Sequence, residues 1–205
     1  EGETHMEIAD CMPVIVEALN RSSLEHADKL IWALDAVLED QYELCEAFAE
    51  YLHRDHPATV WCTVADRLLS RLKSFKPTKG MDEFSRNYER ERLSDWTIHA
   101  LERASRKDEV IPLCEAEAKR TGSYLRLVDR LMAARRYQDA ERWILTGIQN
   151  TKGKWSGSAN RLRDKLMEIR IKERNWSAVA AIQPDQFVRY PSRKAFSDCK
   201  KTSGR

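Results

Sequence analysis

Glycine and proline are scarce in this sequence, at 7 and 6 of 205 residues. With Ala, Leu, Glu, Lys and Arg abundant, that scarcity favours helix on intrinsic propensity alone. No apolar run approaches the roughly 18 residues of a membrane span. The N-terminus has none of the charged, apolar and small-residue regions of a secretory signal. The cysteines are Cys11, Cys45, Cys62, Cys114 and Cys199. Their number is odd and no two are close in sequence, which excludes a disulfide framework or a zinc ribbon. Most sit among apolar residues at helical spacing and read as small core residues of a protein kept in a reducing cytoplasm. Opening on Glu1-Gly2-Glu3, without an initiator Met, the chain is expected to be a piece of something longer.

Hydrophobic residues make up 42% and charged residues 33% of the sequence. That balance supports a folded chain and excludes extensive disorder. The net charge of +2 conceals a split. Residues 1–105 hold 12 Lys+Arg against 21 Asp+Glu, and residues 106–205 hold 23 against 12. Two explanations fit: an anionic partner for the second half, or halves that attract each other.

Apolar residues recur at helical spacing almost throughout. One stripe runs through Ile8, Cys11, Met12, Ile15, Val16 and Leu19, with Pro13 as a kink or late helix start. Ser22 and Glu25 have the spacing of a capping box for the next helix, through Leu30, Ile31 and Leu34. A further helix is lined by Tyr42, Cys45, Phe48, Ala49 and Leu52, and His56-Pro57 opens another through Trp61, Val64 and Leu68. Pro77 and Gly80 punctuate the clearest break. The expected organisation is an acidic helical segment over 1–76, a loop over 77–81 and a basic helical-repeat segment over 82–205, forming one continuous solenoid. Residues 82–92 are read as the exposed opening of a long helix that continues through Leu93, Trp96, Ile98 and Leu101. Thr151–Ser158 is read as a flexible loop, and Pro191 onward as one short helix through Ala195, Phe196 and Cys199 with a fraying end.

The second half repeats itself. Residues 101–110 lie over 131–140, and residues 135–140 over 174–179. Each block ends one helix in charged residues, turns, and opens the next with a small residue. This rhythm predicts an all-α fold, an α-solenoid of antiparallel helix pairs, tetratricopeptide-like although the full tetratricopeptide signature is absent.

Little in the sequence carries reaction chemistry. His53, His56, Cys45 and Cys62 are possible zinc ligands, but Pro57 breaks the helical spacing and both cysteines fit core stripes. Cys114 lacks a nearby histidine, and paired carboxylates such as Asp108-Glu109 suit helix starts. No catalytic residue, metal site or cofactor is therefore assigned. Arg126, Arg130, Arg135, Arg136 and Arg142, interleaved with Tyr124, Tyr137 and Trp143, are candidate contacts for an anionic partner. The alternative is that Tyr137 and Trp143 pack inward.

Residues 96–115 and 121–143, together with Lys29–Asp40 and Gln186–Ser192, resemble the C-terminal helical region of bacterial SWIM-type zinc finger family proteins. That family's Cys-x-Cys and Cys-x-His motif is missing, so the resemblance transfers no zinc ligand to any residue here. It implies the helical-repeat companion of a zinc finger. The expected function is a non-catalytic scaffold for protein–protein interaction. The alternative is nucleic-acid binding by the basic half.

Overall fold

The computed structural model describes residues 2–76, 80–151 and 156–179, with Arg193 and Ser197 singly, and gives only the backbone of residues 2–6 and 156. Residues 77–79 and 152–155, the tail helix through Ala195, Phe196 and Cys199, Gln186–Ser192 and the fraying end lie outside this description. Among the described residues the chain is all helical, without strands. None of these helices is long and apolar enough to cross a membrane.

Among the described residues the α-helices follow in order: α1 (Gly2–Arg21), α2 (His26–Glu39), α3 (Glu46–His53), α4 (Ala58–Ser74), α5 (Glu83–Arg103), α6 (Val110–Thr121), α7 (Tyr124–Ala133), α8 (Tyr137–Asn150) and α9 (Ser156–Lys172). A 3-10 turn at Lys107–Glu109 precedes α6. The chain forms two compact units, Glu1–Leu113 and Cys114–Arg205.

In the first unit, α4 packs on α5 and α2, and α3 packs on α1 and α2. Leu30, Leu34, Leu52, Trp61, Val64, Leu68 and Leu101 form its fully buried core. These are the predicted stripes, turned inward by the helical period. The charged stretch from residue 82 does open a long helix. Asp82 caps α5 by accepting from the Ser85 amide at 2.8 Å. Pro57 sits at the start of α4 with a fixed φ of −57°.

Three local expectations fail. Ser22 does not cap α2; its hydroxyl donates to the Leu19 carbonyl at 2.7 Å and closes α1. The position before α2 is Glu25, whose side chain makes no capping bond. Tyr42 stays outside α3, 70% exposed, because Asp40 accepts from the amides of Tyr42 at 2.9 Å and Cys45 at 2.7 Å and ties residues 40–45 into a turn. Finally, α9 already begins at Ser156, so Gly157 and Ser158 belong to a helix.

The second unit is built on α7, α8 and α9 around Leu127, Val128, Leu131, Ala140, Ile144 and Leu162. The aligned blocks of sequence carry one and the same turn. Ser105, Arg135 and Arg174 all have left-handed backbone, with φ of 62°, 58° and 55°. After each, the next amide reaches back five residues: Arg106 to Leu101, Arg136 to Leu131 and Asn175 to Arg170, at 2.8–2.9 Å. This is the Schellman closure of a helix C-terminus. The residues that follow the turns in register, Val110, Ala140 and Val179, are all buried.

Candidate functional site

The five arginines singled out by sequence do not form one basic stripe. Arg126 donates to the Ser123 hydroxyl at 3.2 Å and is partly buried. Arg130 is half-buried on α7, and Arg135 occupies the left-handed turn position. Of the five, Arg136 and Arg142 line one cleft together. Among the described residues of the second half, Lys165 pairs with Asp129 at 3.0 Å, and Arg170 with Glu173 at 2.8 Å and with Glu141. At partly exposed positions such pairs orient side chains more than they stabilise the fold.

The cleft holding Arg136 and Arg142 lies within the second unit and measures about 430 Å³. One wall is α8, whose helical period brings Asp139, Arg142 and Trp143, Thr146 and Asn150 to one side. Glu115 and Lys119 of α6 and Tyr124 of α7 form the rest. Arg136 donates from Nε to Asp139 Oδ2 at 2.7 Å, and Arg142 donates from Nη2 to Asp139 Oδ1. These bonds, Arg136 first, hold the Asp139 carboxyl below the usual carboxylate range. Trp143 is half-buried, its ring centroid 6.2 Å from that of Tyr124 and 5.7 Å from the Lys119 ammonium. Asn150 donates to the Tyr124 hydroxyl at 2.7 Å.

The first unit carries a different concavity, an apolar groove of about 600 Å³. Met12 and Ile15 come from α1, Trp32 and Ala36 from α2, and Phe48 from α3, while Tyr42 and Cys45 stand in the connecting turn. Trp32 meets Phe48 edge to face at 5.4 Å and stays 46% exposed. Ile15 is 39% exposed. Glu39 and Asp40 supply an acidic rim. Burial pushes the Asp40 carboxyl up, but hydrogen bonds from the backbone of Cys45, Tyr42 and Leu44 outweigh it, so it sits below its ordinary value and stays ionised. Arg92 of α5 secures the rim by donating to the carbonyls of Val37 and Asp40 at the end of α2. The apolar stripes of the sequence do not reveal this groove, because Trp32 lies outside the buried stripe of α2. The available signal was a tryptophan one position beside that stripe.

The set weighed as zinc ligands is dispersed. His53 stacks on Trp96 with centroids 5.6 Å apart, and His56 bonds to His26. The Cys45 amide serves Asp40, and the Cys62 thiol points to the Ala104 carbonyl at 3.8 Å. Among the described residues, no group of three or more His, Cys, Asp or Glu side chains is placed to hold a metal ion. Cys114 is buried, whereas Cys11 is exposed and so is not the core residue expected of it.

No protein-family model, no curated protein and no solved structure matches this chain.

Proposed function

We propose that this chain is a non-catalytic, tetratricopeptide-like α-solenoid scaffold working in the cytoplasm. In this proposal it is the helical-repeat companion of a SWIM-type zinc finger and holds a protein partner. The observation that carries the reading is the groove of the first unit. A tryptophan 46% exposed within an apolar depression, rimmed by carboxylates, has the make-up of an interface hot spot. The occupant that fits is an amphipathic helix that inserts large apolar residues beside Trp32 and Phe48 and sets basic residues against Glu39 and Asp40. The recurring Schellman turns support the repeat architecture, since identical turns launch successive helices at like angles. Nucleic-acid binding is less favoured, because Arg126, Arg130 and Arg135 lie outside the cleft that holds Arg136 and Arg142, so no row of cations follows it.

The test compares the chain with Trp32→Glu in quantitative capture from cells that make the protein naturally, with nuclease added. A discrete set of proteins should be retained by the parent and lost with Trp32→Glu, while circular dichroism stays unchanged. Capture that ignores Trp32, or that disappears with nuclease, overturns the reading.

A further inference from the structure

The cleft of the second unit is built for a different ligand from the apolar groove. Along α8, Asp139 splits its two oxygens between Arg136 and Arg142. Two long, flexible side chains are thereby held at the cleft before anything binds, which removes part of the ordering cost of binding. Neither guanidinium is used up. Each has five N–H donors, and the side chains remain 47% and 78% exposed. The Lys119 ammonium completes the set, lying over the Trp143 ring. Three cations face two carboxylates, Glu115 and Asp139, an excess of one positive charge.

We infer that this cleft receives a single carboxylate carried on a peptide. The carboxylate sits among Arg142, Arg136 and Lys119, and the neighbouring chain lies along Trp143 and Asn150. The inference rests on the reading of the chain as a protein-binding module. Asn150 uses its amide N–H on the Tyr124 hydroxyl at 2.7 Å, which leaves its oxygen as the acceptor for a peptide N–H. Several features favour a peptide over a nucleic acid. A phosphate chain would run its repeated charges against Glu115 and Asp139. A base stacking on Trp143 would have to displace Lys119. Arg126, Arg130 and Arg135 do not line the cleft, so no row of cations follows it.

The test is calorimetric titration of the whole chain with a short, end-blocked peptide bearing one glutamate among neutral residues. The same peptide with glutamine, acetate alone and an oligothymidylate are titrated beside it. The glutamate peptide should bind about tenfold more tightly than its glutamine twin, the change expected from losing one charged hydrogen bond. Arg142→Gln and Lys119→Gln should each weaken it by about the same factor. Arg120→Gln, an exposed cation outside the cleft, should not. Circular dichroism of each variant confirms the fold. The inference is overturned by any of four results: no heat with the glutamate peptide, equal affinity for its glutamine twin, equal affinity for acetate, or tighter binding of the oligothymidylate. Peptide binding that survives while Trp32-dependent capture fails sinks only the groove reading. Capture that survives while peptide binding fails sinks only this one.

Discussion

His26 and His56 are joined ring to ring, with Nε2 of the first 2.9 Å from Nδ1 of the second. The proton positions follow from the neighbouring bond. His56 Nε2 faces the Tyr51 carbonyl oxygen at 2.8 Å and must be the donor there. Its Nδ1 is then a bare lone pair, and His26 donates to it. A proton added to His56 Nδ1 would meet the N–H of His26, and the link between the first turn of α2 and the residue before Pro57 survives only if His26 moves its own proton to Nδ1. Tyr51, Trp61 and His26 surround the His56 ring edge to face, with centroids 5.1–6.0 Å away.

This arrangement makes the first unit sensitive to mild acid. Burial first, and then the positive fields of His26, Arg103 and Arg54, lower the His56 pKa despite the opposing Tyr51 bond. Burial, His53 and Arg103 do the same for His99, against Glu102. A histidine with a lowered folded-state pKa binds protons more readily when unfolded. Its contribution is therefore fully present above about pH 6.5 and lost as the pH falls towards the folded value. The denaturant midpoint of the chain should start to drop as the pH falls below about 6.5. His56→Gln should flatten the dependence. A midpoint that holds level or rises on acidification would refute the assignment.

Gly147 marks the tightest approach in the second unit. A Cβ there would come within 2.7 Å of Leu162 Cδ1 and 2.9 Å of Tyr124 Cγ. The tip of Leu162 can yield, but the root of the Tyr124 side chain cannot without moving α7. Alanine's helix propensity favours the change by about 1 kcal/mol, while overpacking costs about 1–3 kcal/mol. Gly147→Ala should therefore be net destabilising, by about 1 kcal/mol. Chemical denaturation measures this, and a stabilised variant would mean that α7, α8 and α9 pack more loosely than described.

Arg135 holds a conformation that costs a residue with a Cβ about 1–2 kcal/mol. Glycine removes that cost but adds freedom to the unfolded chain, so Arg135→Gly should stabilise by about 0.5–1 kcal/mol. Arg135→Val should destabilise, since a β-branched side chain suits left-handed backbone least. Thermal midpoints of the two variants should move in opposite directions from the parent. Arg135→Gly should also leave glutamate-peptide affinity unchanged, because Arg135 does not line the cleft.

Two tryptophans should respond very differently to truncation. Trp61 is fully buried in the first unit, and Trp61→Ala should cost about 3–5 kcal/mol. Trp143 has the periodic spacing of a core residue, yet it is half-buried on the cleft wall. Trp143→Ala should therefore cost only about 1–2 kcal/mol. Equal shifts in denaturant midpoint would show that Trp143 belongs to the core after all.

Helix formation was legible in the sequence because it depends on spacing that any single segment displays. Leu30, Leu34, Trp61, Leu68, Leu101 and Leu131 recur at helical intervals, and all are buried. The repeated blocks were legible too, since local hydrogen bonding around Ser105, Arg135 and Arg174 needs nothing from outside the turn. Tertiary structure decided which apolar residues stay exposed and which charged ones meet. Trp32 and Phe48 form a groove through the packing of α1, α2 and α3, an arrangement set by contacts between segments rather than by the period of any one. Arg136 and Arg142 were separated from Arg126, Arg130 and Arg135 by the different faces and helices that carry them. His26 reached His56 over 30 residues of sequence, a separation that no local pattern records. The division after Leu113 likewise arises from where the helices pack, because α4 and α5, on either side of the strongest break in the sequence, lie against each other within one unit.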